Sequence, residues 1–98
     1  MRYYAALYRA IALLGVNRAP EARVTLESLY GRRPDGFAGE LTTLRLADVR
    51  VSDGQASSAV DLLDTLLADR TVTRPEEIRV RLGRAAQAAG DQIGRAHV

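Results

Sequence analysis

The chain has 98 residues, which is enough for one small domain with a modest core, and its hydrophobic fraction of 47% excludes a chain disordered by composition. The absence of cysteine excludes disulfides, thiolate metal sites and cysteine nucleophiles. The net charge is +2, and all 14 basic residues are arginines interleaved with 12 acidic residues. Because no basic run exceeds Arg32-Arg33, a nucleic-acid partner is not indicated, and the arginine bias fits a GC-rich coding sequence.

The amino-terminal residues 3–16 are the one candidate for a targeting segment. Arg9 interrupts their apolar run and no clear small-residue cleavage site follows, so we do not expect a signal peptide. No apolar run reaches the roughly 18 residues that a membrane span needs. We therefore expect a soluble protein, and the sequence leaves its compartment open.

Apolar residues at helical spacing predict an all-α chain of five helices. They run near residues 3–14, 20–30, 37–52, 57–68 and 75–89, antiparallel within each pair.

Glycines, prolines and capping residues mark the predicted ends of these helices. Gly15 closes the first helix, Pro20 lies in the first turn of the second, and Pro34 and Asp35 separate the second from the third. The turn Asp53-Gly54-Gln55-Ala56 joins the third and fourth helices. Thr73 and Glu76 form the pattern of a capping box for the fifth helix, and Gly90 is its expected C-cap.

The third and fourth helices differ in their apolar faces. The third helix has two apolar sides, as expected for a helix packed between two neighbours, whereas the fourth has one. One side of the third helix consists of Leu41, Leu44, Ala47 and Val51, and the other consists of Leu46 and Val49. The single face of the fourth helix consists of Ala59, Val60, Leu62, Leu63, Leu66 and Leu67.

The chain also repeats itself. At an offset of 37, Tyr4, Leu7, Ala10, Leu14, Ala22, Leu26 and Leu29 align with Leu41, Leu44, Ala47, Val51, Ala59, Leu63 and Leu66. At an offset of 36, Arg45-Leu46-Ala47 aligns with Arg81-Leu82-Gly83, and Gly54 aligns with Gly90. Self-similarity at such a period predicts about two and a half copies of one helical hairpin.

This pattern resembles the tetratricopeptide-repeat family. The resemblance is carried by Leu46-Ala47 and Leu82-Gly83, Gly54 and Gly90, Ala22 and Ala59, Leu26 and Leu63, and Pro34. It departs from the family at Thr43 and Arg79, where tryptophan is favoured, and at Arg50, where tyrosine is. The resemblance implies hairpins stacked as a right-handed solenoid, whose concave face is lined by the first helix of each hairpin and binds a protein partner.

The last six residues match the translation of a common sequencing adapter, ATC GGA AGA GCA CAC GTC. In that frame the preceding codon ends in AG, which fits Gln92. We therefore expect residues 1–92 to be a helical-repeat fragment and residues 93–98 to be non-native, so that His97 has no function. A solenoid cut there lacks a polar end cap, and we expect its last helix to fray or self-associate.

No catalytic, cofactor or metal site is predicted. Without cysteine or a native histidine there is no Ser-His, Cys-His or zinc arrangement. Asp61 and Asp64 read as a solvated face, and Gly31 to Gly36 reads as a turn between repeats because it lacks the glycine-lysine-serine order of a phosphate loop. Glu77, four residues before Arg81, predicts a surface ion-pair ladder.

Two functions remain open at this stage. The first is a scaffold or protein-interaction module, with Arg45, Arg50, Arg81 and Arg84 exposed on the first helices as a surface for an acidic or extended partner or for another domain of the same chain. The second is a non-catalytic arm, because residues 7–30 and 75–91 are also similar to the helical-repeat region of bacterial soluble lytic murein transglycosylases. That family acts on peptidoglycan in the periplasm, and its catalytic glutamate would lie beyond Gln92.

Overall fold

The computed structural model describes residues 2–15, 18–32 and 36–96, and side chains for residues 4–15, 18, 20–32 and 36–91. Within these residues the chain is all helical. The helices are α1 (Arg2–Gly15), α2 (Ala19–Gly31), α3 (Gly36–Ser52), α4 (Ala56–Leu67) and α5 (Pro75–Ala96). The prediction of five helices is confirmed. Pro34, Asp35 and His97 lie outside the described residues.

Each helix packs on the next one along the chain, and α3 also contacts α1 and α5. A connection of only three residues, 53–55, joins α3 to α4. Two helices that pack along their lengths with so short a connection must run antiparallel, as in a helical hairpin. The chain is therefore built of neighbouring hairpins, with α3 at its centre.

The core has two parts, and α3 contributes a different side to each. Leu46 and Val49 pack with α1 and α2, whereas Leu44 and Ala47 pack with α4 and α5. All four side chains are buried. The prediction that α3 lies between two neighbours is confirmed.

Burial repeats with the 37-residue period of the sequence. Leu7 and Leu44 are both buried, as are Ala10 and Ala47, Ala22 and Ala59, and Leu26 and Leu63. Tyr4 and Leu41 are both half-buried, and so are Leu14 and Val51. Six of the seven aligned pairs therefore have the same packing role; in the seventh, Leu29 is buried and Leu66 is half-buried.

The turn after α3 has the form that the sequence predicts. Gly54 has a φ of +77°, in the left-handed region that favours glycine. The backbone N–H of Gln55 donates to the carbonyl of Arg50 at 2.7 Å, and that of Gly54 donates to the carbonyl of Val51 at 3.2 Å. This is a Schellman C-cap, which satisfies carbonyls that the end of the helix would leave without partners.

Two predictions about α5 are wrong. Gly90 does not end the helix, which continues to Ala96; a glycine with no proline after it weakens a helix by about 1 kcal/mol relative to alanine but need not stop it. The predicted capping box does not form, because the Thr73 N–H that would donate to the Glu76 side chain donates to Glu40 instead, while Glu76 pairs with Arg79 at 3.0 Å. The alignment at an offset of 36 is also not matched by burial, since Ala47 is buried and Gly83 is exposed.

Ala59 has no solvent exposure and lies where α4 meets α3 and α5. We expect Ala59→Leu to lower the free energy of unfolding by about 1–3 kcal/mol, because added methylenes overpack a filled core. Urea unfolding measures the change, and Ala86→Leu at an exposed position of α5 is the matched control. A change within about 0.5 kcal/mol for Ala59→Leu would contradict the close helix contact.

Candidate functional site

The first candidate is the predicted arginine surface, and Arg50 is not free on it. Its side chain is 23% exposed, and Nη2 lies 3.0 Å from a carboxylate oxygen of Glu27 on α2. Its Nη1 donates to the side-chain carbonyl of Gln55 at 2.7 Å. Arg50 thus joins the first hairpin to the second and closes the turn after α3.

Arg81 is more buried still, with 17% of its side chain exposed. Its Nε and Nη2 donate to the two carboxylate oxygens of Asp48 on α3, at 3.0 and 3.3 Å. Its Nη1 donates to Glu77 at 2.6 Å. Arg45 lies 3.9 Å from Asp48, and Arg74 lies 3.6 Å from Glu77. Together Arg74, Glu77, Arg81 and Asp48 form the ion-pair ladder.

The prediction that all four arginines are exposed is therefore wrong for Arg50 and Arg81, and Arg45 is half-buried. The physical reason is that an acid on a neighbouring helix lies within reach, Glu27 for Arg50 and Asp48 for Arg81, and the planar fork of Arg81 binds both oxygens of its carboxylate. Arg84 alone of the four is exposed, beside a cavity of about 230 Å³ that Arg81 and Asp48 also line. An acidic partner would compete with internal carboxylates at this surface.

The ladder gives a pH dependence that can be measured. The hydrogen bond from Arg81 is the main reason that the pKa of Glu77 lies below its ordinary value of 4.5; burial opposes this lowering, and the nearby charges of Arg81 and Arg74 add to it. A carboxyl whose pKa is lowered by folding stabilises the protein above its unfolded pKa, and this stabilisation is lost as the pH falls through the lower folded value.

We expect Glu77→Gln to reduce the loss of stability between neutral pH and about pH 3, measured by urea unfolding at each pH. Asp64→Asn, at an exposed position of α4, is the control and should keep the wild-type pH dependence. An unchanged pH dependence in Glu77→Gln would contradict the ladder.

The other predicted candidates bring no further chemistry together. Asp61 and Asp64 are exposed, as expected for a solvated face. Within the residues that the structure describes, no group of three or more acidic or histidine side chains could hold a metal ion. In the same residues, no helix combines the length and the apolar character that crossing a membrane requires.

A second cavity, which the sequence did not predict, has a volume of about 460 Å³. It lies between the carboxyl ends of α2 and α4, with the amino-terminal half of α3 and the connector to α5 as its other walls. A volume of this size falls within the range typical of ligand pockets. The cavity, rather than the arginines, is therefore the best-formed concave site among the described residues.

Glu40 lines this cavity and is the residue that connects it to α5. Its side chain is buried, with 4% of the residue exposed. The backbone N–H groups of Thr73 and Arg74 donate to its two carboxylate oxygens at 2.8 and 3.1 Å, and the Thr73 hydroxyl donates to both. Glu40 thus satisfies backbone donors just before α5 and holds the connector against α3.

Threonine hydroxyls make up most of the remaining polar lining. Thr42 donates to the carbonyl of Ala38 at 2.7 Å, and Thr43 donates to that of Gly39 at 2.9 Å. On the opposite wall, Thr65 donates to the carbonyl of Asp61 at 2.9 Å. Such bonds to the preceding turn satisfy the hydroxyl hydrogen inside the helix and leave only acceptor lone pairs for the cavity.

The connector adds a second carboxylate. Asp69 accepts hydrogen bonds from the Thr71 hydroxyl at 2.7 Å and the Thr71 N–H at 2.8 Å. These two bonds, the hydroxyl first, hold the pKa of Asp69 below its ordinary value of 3.8. The cavity therefore contains an ionised carboxylate near neutral pH, and the described residues that line it include no basic side chain.

One local signal could have identified Glu40 from the sequence. It lies four residues before Leu44 and seven before Ala47, so it occupies the same stripe of α3 as two core residues. An acid in a buried stripe requires hydrogen-bonding partners. Those partners, 33 and 34 residues away in the chain, have no local signal.

Comparisons with protein-family models, with curated proteins and with solved structures found no match to this chain.

Proposed function

We propose that this chain is a non-catalytic scaffold or protein-interaction module, built from tetratricopeptide-like hairpins that stack as a right-handed solenoid. The observation that carries the proposal is the matching burial of six of the seven residue pairs 37 positions apart, as at Leu26 and Leu63. Repeats that perform the same packing role are typical of solenoids, in which each unit buries its apolar face on the next.

The contacts between hairpins support the stacking. The first helices of successive hairpins, α1 and α3, pack on one another, and so do α3 and α5. Ion pairs reinforce the junction of the first two hairpins, between Arg50 and Glu27 at 3.0 Å and between Arg23 and Asp53 at 3.1 Å. A stack of this kind offers an extended surface, which is what repeat proteins use to bind partners.

Among the surfaces of this module, the cavity between α2 and α4 is the more favourable binding site. Arg50 and Arg81 already bind carboxylates of their own chain, so an acidic partner gains little from them. The cavity combines a concave shape with a few fixed polar groups, which are the features that give a site both affinity and orientation.

The test is selection of peptide ligands. A library of random peptides displayed on phage is selected on the immobilised chain, and enriched peptides are measured by calorimetry against scrambled versions of themselves. We expect saturable one-to-one binding that scrambling abolishes. Selection that enriches no sequence, or binding equal for the scrambled peptides, would contradict an interaction module.

The non-catalytic part of the proposal has its own test. The chain should release no soluble fragments from bacterial cell-wall sacculi, because the described residues include no metal-binding cluster, and the two carboxylates that share a cavity, Glu40 and Asp69, already accept hydrogen bonds from their own chain. Turnover by this chain alone would contradict it.

A further inference from the structure

We propose that the cavity between the carboxyl ends of α2 and α4 binds an arginine side chain presented by an extended segment of a partner protein. This inference rests on the proposed interaction function and names the chemistry of the partner. Its polar walls are Glu40, Thr42 and Thr43 of α3, Thr65 of α4, and Asp69 and Thr71 of the connector.

These polar side chains are mainly acceptors, and Tyr30 of α2, which also lines the cavity, adds one hydroxyl that can donate or accept. Each threonine hydroxyl already donates a hydrogen bond within the chain. The acceptors are the carbonyls of residues 38, 39 and 61 and the carboxylate of Asp69. An ionised carboxylate has no hydrogen to donate and acts as an acceptor only. A ligand that satisfies such a lining must therefore be rich in donors.

The charge of the residues that line the cavity also favours a cationic ligand. Glu40 is buried, yet its hydrogen-bond donors are neutral, and no ion pair joins it to a cation among the described residues. Buried charges in proteins are normally paired with opposite charge. Asp69 adds a second carboxylate to the same cavity, so the electrostatic complement of the described lining residues is a cation.

Helix ends do not reverse this sign. The carboxyl ends of α2 and α4 reach the cavity at Gly31 and Leu66, and helix carboxyl ends carry partial negative charge. The amino end of α3, at Gly36, contributes the opposite sign at the same cavity. Two carboxyl ends against one amino end leave a partial negative charge, which has the same sign as the carboxylates.

The placement of the acceptors distinguishes arginine from other cations. The acceptors lie on three separate elements, α3, α4 and the connector, so a single point donor cannot reach them all. A guanidinium spreads five N–H donors over a rigid plane, whereas an ammonium concentrates three at one atom. Leu62, Leu66 and Val72 add apolar wall against which the methylene stem of arginine can pack.

The experiment is a nuclear magnetic resonance titration of the ¹⁵N-labelled full chain with acetyl-Gly-Arg-Gly-amide. The matched probe replaces arginine with citrulline, which has nearly the same shape and no charge. We expect the arginine probe to shift the amide resonances of Thr42, Thr65 and Thr71 saturably, and the citrulline probe to bind at least about tenfold more weakly, since hydrogen bonds to charged groups are about twice as strong as neutral ones.

Two variants locate the binding. Asp69→Asn and Thr65→Val change exposed positions that line the cavity, and each should weaken the arginine probe about threefold to tenfold with the fold intact. Asp64→Asn removes an equal charge from α4 outside the cavity and should change the affinity less than twofold.

Equal binding of the two probes, or shifts confined to residues outside the cavity, would overturn the proposal. Peptides selected from the library that bind without arginine and leave the cavity resonances unmoved would overturn it too, while the interaction function would stand. A library that enriches no peptide would instead remove the function on which the inference rests.

Discussion

Leu63→Ala is expected to lower the free energy of unfolding by about 2–5 kcal/mol, the range for leucine-to-alanine changes in filled cores. Leu63 is 1% exposed and packs where α3, α4 and α5 meet. Truncation removes its transfer free energy and leaves a cavity that neighbouring helices close only in part. In a chain of this size the loss is a large fraction of the total stability.

The repeat supplies the comparison that makes this prediction specific. Leu26 has no exposure and takes the equivalent place in the first hairpin, 37 residues earlier, so Leu26→Ala should destabilise by a similar amount. Leu67→Ala, at a half-buried position of α4, is the control and should cost clearly less. Urea unfolding followed by circular dichroism measures all three variants.

If Leu63→Ala costs no more than Leu67→Ala, the packing at the centre of the second hairpin is wrong. If Leu63→Ala is costly and Leu26→Ala is not, the two hairpins are not equivalent. The second outcome would remove the observation on which the proposed repeat depends.

The elements of this fold could be predicted from sequence because their signals are local. Helical periodicity located all five helices, and the double apolar side of α3 predicted its central place. Gly54 marked its turn because the residue at that point adopts a positive φ, which glycine favours. Small residues at Ala22 and Ala59 predicted close helix contacts, and both are fully buried.

The site could not be predicted because its signals are not local. Arg81 reads from the sequence as an exposed residue beside Glu77, and its buried pairing with Asp48 depends on a contact between residues 33 apart. The cavity is formed by four separate elements, and no one of them carries a recognisable motif. The predicted end of α5 is wrong for a related reason. Gly90 is a residue type common at C-caps, but no residue after it breaks the helix.

Glu40→Ala tests the contact between Glu40 and the start of α5, which the predicted capping box did not include. We expect it to lower the free energy of unfolding by about 2–4 kcal/mol, because hydrogen bonds to a charged group are each worth about 1.5–3 kcal/mol. The change removes the acceptor of the Thr73 and Arg74 N–H groups, at 2.8 and 3.1 Å. It also removes the side chain that holds the connector against α3, so hydrogen exchange should show the first turn of α5 losing protection before the rest of the helix.

The control for Glu40 is the residue that a capping box would use. Glu76 has a side chain that is 85% exposed and pairs only with Arg79 among the described residues. Glu76→Ala should therefore change stability by less than about 0.5 kcal/mol, as expected for an exposed ion pair. A capping box would reverse this order, since it makes Glu76 the costly residue and leaves Glu40 without a role at the start of α5. Measuring the two variants side by side therefore shows whether Glu76 or Glu40 holds the start of α5. We expect Glu40 to be the more important residue, because Thr73 donates to it with both its N–H and its hydroxyl.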